Sequence, residues 1–147
     1  MNEYDLVYMA GFFDGEGCVS IGYRKSRNYL QYQMKTITSQ AKEEGKQICE
    51  WLKINFKGVV SSKKKLKEYH SSRYEWVLMS KQAYNFLKQI YPYLKIKKKQ
   101  VKLAIEFQEI LSNYRGKNYF SDIERIEKCS YFETVKQEMH FFNSSKS

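Results

Sequence analysis

Two hydrophobic periods alternate along this chain, and their order carries most of its architecture. Val7 to Phe13 is a nearly unbroken apolar run, and a helix is predicted from about residue 3 to 13. Val19, Ile21 and Tyr23 then alternate with Ser20, Gly22 and Arg24, the period of a half-buried strand. Lys25 to Asn28 is a turn, and 29–39 resume extended character. Within that strand Met34 and Ile37 differ in parity, so only one of them can face a core without a bulge. Residues 42–53 return to the helical period, with Ile48, Trp51 and Leu52 on one face. Gly58-Val-Val-Ser-Ser opens a second hairpin, which turns near Lys63–Lys67 and returns through Tyr74, Trp76 and Leu78. Ser80 is the expected N-cap of a helix on Ala83, Phe86, Leu87 and Ile90, which Pro92 ends. A further helix is predicted from about Lys95 to Ser112 on Ile96, Leu103, Ile105 and Phe107, and a last one over about 121–142. Helix, hairpin, helix, hairpin, helices is an α+β order with a four-stranded antiparallel sheet. No internal repeat is visible.

Charge adds a partner to this outline. The 147 residues are one domain's worth, and 42% of them are hydrophobic, enough for a real core. Net charge is +10, which favours a polyanion, nucleic acid first and an anionic membrane second. No apolar run approaches the roughly 20 residues of a membrane span, and the acidic N-terminus lacks a signal-peptide pattern. Cys18, Cys49 and Cys129 are odd in number and widely spaced, against both a disulfide framework and a zinc site. A reducing, intracellular setting is expected. The heavy use of Lys, Tyr, Ile and Asn points to an AT-rich genome, of an organelle, a bacterium or a virus.

The candidate chemistry lies at residues 8–17, YMAGFFDGEG. Ala10 and Gly11 are small enough to admit a second helix backbone to backbone. Gly15 and Gly17 suit a helix end that needs a left-handed residue. Asp14 and Glu16 put acid at a helix C-terminus, where stability alone asks for Lys or Arg. Carboxylates there suggest that a cation is expected, the bland alternative being an amphipathic helix with solvated acids.

The spelling resembles the LAGLIDADG motif that names a family of homing endonucleases. Tyr8 to Gly17 covers all ten positions, with Met9 and Phe13 as apolar replacements and Glu16 where the family has Asp. Residues 84–103, YNFLKQIYPYLKIKKKQVKL, resemble a block in its homodimeric members, including those from chloroplast introns. The resemblance covers about 4–112 and leaves a helical tail, 113–147, in one 1–147 domain. It implies the αββαββα LAGLIDADG fold, with the sheet as a DNA-binding saddle.

With one motif per chain, the resemblance implies a homodimer whose motif helices cross at Met9, Ala10, Gly11, Phe13 and Asp14. It implies that Glu16 from each subunit and the carbonyl of Gly15 face catalytic Mg²⁺. Mn²⁺ is expected to substitute, and Ca²⁺ to bind without supporting cleavage. Asp14 reads as structural, with a direct metal role as the alternative. Lys97 matches the family's active-site lysine, the other reading being a solvated start to the next helix. Gln40 matches its water-positioning glutamine, unless the register slips by one and puts Ala41 there. The implied activity is a staggered double-strand break in a long, pseudo-palindromic site. The alternatives are an intron-splicing RNA maturase, for which RNA would be the partner, or a DNA binder that does not cut.

An exposed strand of about nine residues spans about 30 Å, or about nine base-pair rises, so two subunits would cover about 18–22 base pairs. A β-ribbon fits the major groove. The outward set of the first strand would be Ser20, Gly22, Arg24 and Ser26, with Arg24 the best single choice for guanine or phosphate. Asn28 and Tyr29 at the tip, then Gln31, Gln33 and Lys35, continue the polar face. Ser61, Lys63, Arg73 and Glu75 would flank it, and Lys99 is a further DNA contact. Lys63-Lys64-Lys65 reads as a loop gripping phosphate rather than bases.

Overall fold

The first helix, α1 (Glu3–Glu16), is started by the Asn2 side chain, which accepts from the Asp5 N–H at 2.9 Å. The computed structural model describes residues 2–26, 29–63, 72–113 and 122–144, and side chains throughout these except at 26, 29–30 and 122–129. Helix α1 runs past residue 13 to Glu16, so Gly15 is helical. Gly17 takes an extended φ of −86°. Neither glycine supplies the left-handed cap expected of it. Space is what demands glycine at 17, since a Cβ there would sit 2.2 Å from the Phe13 ring. The helix therefore passes into the first strand with no loop between them.

Strands β1 (Gly17–Ser26) and β2 (Tyr29–Ala41) form the first hairpin, and β3 (Val59–Lys63) and β4 (Arg73–Met79) the second. The sheet order is β1-β2-β4-β3, antiparallel at every neighbour. Helix α2 (Lys42–Phe56) links the hairpins, and α3 (Ser80–Ile90), α4 (Lys98–Ser112) and α5 (Asp122–Ser144) follow. The helices cover one face, onto which Val19, Ile21, Tyr32, Met34, Trp76 and Leu78 point with Met9, Phe13, Leu52 and Phe107. Phe86 meets Trp76 and Phe56 edge-on at 5.1 and 4.9 Å, a favoured geometry for aromatic pairs.

Pairing of β1 with β2 runs unbroken from Gly17↔Thr38 to Ser26↔Tyr29, which settles the parity question. Met34 faces the core and Ile37 faces away. Thr36 and Thr38 take the inward positions, each 1% exposed, and their hydroxyls have no partner.

Other expectations shift. Ser80 is the first helical residue of α3, with φ +48°, and no side chain caps that helix. Helix α4 starts at Lys98, not Lys95, because residues 95–97 bend after the turn Tyr91–Tyr93. Ile96 is thus 72% exposed, and the buried face is Val101, Ala104, Phe107, Gln108 and Leu111. Helix α5 covers the edge strand β1, where Asn143 Nδ2 donates to the Val19 carbonyl at 2.9 Å. Tyr32 donates to Glu133 at 3.3 Å on the same helix. No helix among the described residues is long and apolar enough to cross a membrane.

Candidate functional site

Helix α1 delivers its C-terminus to the end of the sheet, and residues 95–97 close on it. The buried Asp14 carboxylate accepts the Lys95 N–H at 2.8 Å and the Lys97 N–H at 2.9 Å. Lys97 Nζ donates to the carbonyls of Asp14 at 2.9 Å and Phe13 at 3.3 Å. The exchange is reciprocal. A carboxylate on α1 orders the entry to α4, and an ammonium at the entry to α4 answers the negative end of α1. That resolves the acid at a helix C-terminus for Asp14, whose structural reading fits these bonds.

Glu16 is different: its side chain is exposed, as is Gly15 beside it. The last carbonyls of α1, that of Gly15 among them, have no helical donor. Among the described residues no group of three or more His, Cys, Asp or Glu could hold a metal. One exposed carboxylate with a carbonyl suits a hard divalent cation that keeps its waters and shares phosphate oxygens. It does not suit a caged, soft metal.

Gln40 lies near the end of β2, two residues beyond Thr38, whose partner is Gly17. Its parity is that of Thr36 and Thr38, toward the helices. A Cβ on Gly45 would sit 2.7 Å from the Gln40 carbonyl carbon, so α2 starts tight against it. Ala41 has the opposite parity and pairs with Arg73.

The expected crossing surface needs correction. Met9, Ala10 and Phe13 are 0% exposed and Asp14 8%, because they pack inside the protomer. Of the expected set only Gly11 is exposed. The open face of α1 is Tyr4, Val7, Tyr8, Gly11 and Gly15, the first three 85%, 47% and 59% exposed. An added Cβ meets nothing within 4 Å at Gly11 or at Gly15, one turn apart. The small pair that opens this face is therefore Gly11 and Gly15, not Ala10 and Gly11.

Facing away from the helices, register pairs define rows across the sheet. Arg24 lies opposite Gln31 and donates to its Oε1 at 3.1 Å. Gly22 lies opposite Gln33, and Ser20, Lys35 and Met79 form the next row. Ser39, Glu75 and Ser61 form another, in which Ser39 donates to Glu75 at 3.4 Å and Lys63 pairs with Glu75 at 3.4 Å. Arg73 and Lys63 are paired on the same face. Lys99 is exposed on the first turn of α4. Asn28, Lys64 and Lys65, and the side chains of Ser26 and Tyr29, lie outside the described residues.

Sequence reading missed the outward apolar members Cys18, Ile37, Val77 and Val59. The odd parity of Ile37 was their only signal. Cys49 is buried with its Sγ 3.8 Å from the Tyr74 carbonyl. Burial, then the charge of Glu50, raises its thiol pKa, so it is a core residue and not a nucleophile.

A model of the LAGLIDADG endonucleases matches residues 9–111. The chain belongs to the LAGLIDADG endonuclease family. DNA endonuclease I-CreI of Chlamydomonas reinhardtii is 25% identical over 137 residues, 91% of this chain and 78% of that one. The homing endonuclease I-CvuI, solved with its target in the presence of Ca, superposes with a TM-score of 0.73 at 18% identity, covering 98% of this chain and 85% of that one. I-CvuI has also been solved on the I-CreI target with Mg, its DNA not cleaved. The LAGLIDADG meganuclease I-AabMI, bound to uncleaved DNA, superposes with a TM-score of 0.68 at 18% identity, over 93% of this chain but 47% of its own. The motif, the four-stranded saddle and the flanking helices of this LAGLIDADG protein are thus the family's.

Proposed function

We propose that the chain is a site-specific homing endonuclease that works as a homodimer and makes a staggered double-strand break in a long, pseudo-palindromic DNA site. The observation that carries this reading is the exposed Glu16 beside the Lys97-anchored end of α1, at the rim of a sheet face that no described helix covers. The sheet grips and orients the duplex, with Arg24, Gln31, Gln33 and Lys35 toward base edges and Lys63, Arg73 and Lys99 toward phosphates. Ser20, Gly22, Ser61 and Glu75 complete that face. Glu16 and the Gly15 carbonyl would hold Mg²⁺, which supplies Lewis-acid activation of phosphate and of a water. Lys97 fixes the end of α1 and brings positive charge to the strand being cut. Gln40 would orient the attacking water from the end of β2.

Dimerisation follows from the face that α1 leaves open. Tyr4, Val7 and Tyr8 are apolar surface awaiting cover, and Gly11 and Gly15 allow two helices to approach about a two-fold axis. Two Glu16 carboxylates at about 5 Å would repel by roughly 3 kcal/mol at an effective dielectric near 20, which divalent cations offset. That I-AabMI is about twice the length of its matched region supports two such units per working enzyme.

Selecting cleaved sites from a randomised duplex library, with Mg²⁺ and separately with Ca²⁺, tests the reading. Mg²⁺ should yield one partly palindromic site of about 18–22 base pairs, and Ca²⁺ should yield binding alone. Lack of any cleaved duplex with Mg²⁺ or Mn²⁺, or sedimentation as a monomer on saturating DNA, would sink it. Two substitutions give graded effects. Lys97→Met should slow cutting by about 10²-fold with little change in affinity, read by single-turnover kinetics. Arg24→Ala should relax preference at one symmetric pair of positions by about 1–3 kcal/mol each, read by competition between single-base variants of the site.

A further inference from the structure

One row of the outward sheet face is apolar from edge to edge. Cys18 pairs with Ile37, Ile37 with Val77, and Val77 with Val59. Cys18 is exposed and Val59 is 64% exposed, while Ile37 and Val77 are half-buried by their neighbours. Among the described residues no helix covers them. The adjoining rows are polar or charged, Ser39–Glu75–Ser61 on one side and Ser20–Lys35 with Met79 on the other. A merely solvated face gains nothing from four apolar side chains in line, and the fold accepts two unpartnered threonine hydroxyls in the core while Ile37 points outward.

We propose that this row reads the 5-methyl groups of thymine in the major groove, giving the enzyme a preference for thymine in the few base pairs nearest each cut. The inference rests on the endonuclease reading above. The occupant is argued from continuity. The row lies within the same face as Arg24, Gln31, Gln33 and Lys35, in a chain of net charge +10, so what covers those residues covers these. The thymine methyl is the one apolar group that a major-groove base edge offers, and apolar side chains are its partners. Position follows from the chain. Cys18 is two residues beyond Glu16, about 7 Å along a strand, or about two base-pair rises. On β1 the row is therefore the first outward position after the carboxylate, with Ser20, Gly22 and Arg24 farther out, while the Ser39–Glu75–Ser61 row lies level with Glu16.

The test uses the full-length protein and its selected site. Thymine should be enriched near the cut in each half-site, inside the positions opposite Arg24 and Gln31. Replacing those thymines by deoxyuridine, which removes only the methyl, should weaken binding about fourfold per methyl. The same replacement opposite Arg24 and Gln31 should change nothing. The Ile37→Gln and Val77→Gln double variant should lose the thymine preference and gain adenine, the base that Gln pairs with. Deoxyuridine that binds as well as thymine, or a site with no thymine there, overturns the inference and leaves the nuclease standing. Loss of dimerisation in the double variant without DNA, with site preference unchanged, would make the row a protein contact and also overturn it. Failure to bind or cut any duplex would take down the endonuclease reading itself, which separates the two.

Discussion

Glu16→Gln should abolish cleavage, by on the order of 10³-fold or more, while binding of the target survives or tightens. The side chain is exposed at the end of α1, so the exchange removes a charge without disturbing a packed contact. It should leave thermal stability unchanged within about 2 °C, since exposed substitutions of this kind stay within about 0.5 kcal/mol. Affinity should not fall, because one less negative charge faces the phosphates. Single-turnover cleavage and a binding titration on the same duplex in Ca²⁺ check both halves. Cutting at the normal rate would mean that the metal is held elsewhere.

Asp14→Ala, two residues earlier, should act first on stability. Asp14 is 8% exposed and accepts two backbone N–H groups, at 2.8 and 2.9 Å. Hydrogen bonds to a charged group are worth about 1.5–3 kcal/mol each, and truncation leaves both amides facing a cavity. A loss of about 3–5 kcal/mol is expected, a fall in Tm of roughly 6–20 °C for a chain of this size. Cleavage should drop as well, because the same two bonds hold the bend that carries Lys97. Asp14→Asn, which keeps the shape and one acceptor, should recover part of the stability. If Asp14→Ala melts like the native protein but cannot cut, Asp14 acts on metal or substrate directly and its structural role is wrong.

These two acids also show how far the sequence was legible. Their spacing and the glycines around them mark the site, and the alternation of periods gives each strand and helix in order. Their roles part only in three dimensions, because residues 95–97 lie more than eighty positions away and return to bind one acid while leaving the other exposed. The open face of α1 is hidden in the sequence for a related reason. Ala10 and Gly11 are neighbours in sequence, but a helix turns about 100° between them, so one is core and the other surface. Gly11 and Gly15 share a face, four apart. The start of α4 slipped because Lys95 to Lys97 read as polar helix, whereas Asp14 captures their amides and makes them a bend. In β2 the parity was ambiguous since threonine took core positions and isoleucine an outward one. Such a local conflict between pattern and fold is expected where a surface serves recognition.

The junction at Gly17 has a last consequence. Because the Phe13 ring fills the space where a side chain would be, helix and strand are one rigid piece, with no hinge separating the carboxylate proposed to cut from the surface proposed to read. Such an enzyme is a ruler. The distance from recognised bases to broken bond is built into the backbone, and a target stretched by a single pair at its middle would present its phosphates to the wrong place.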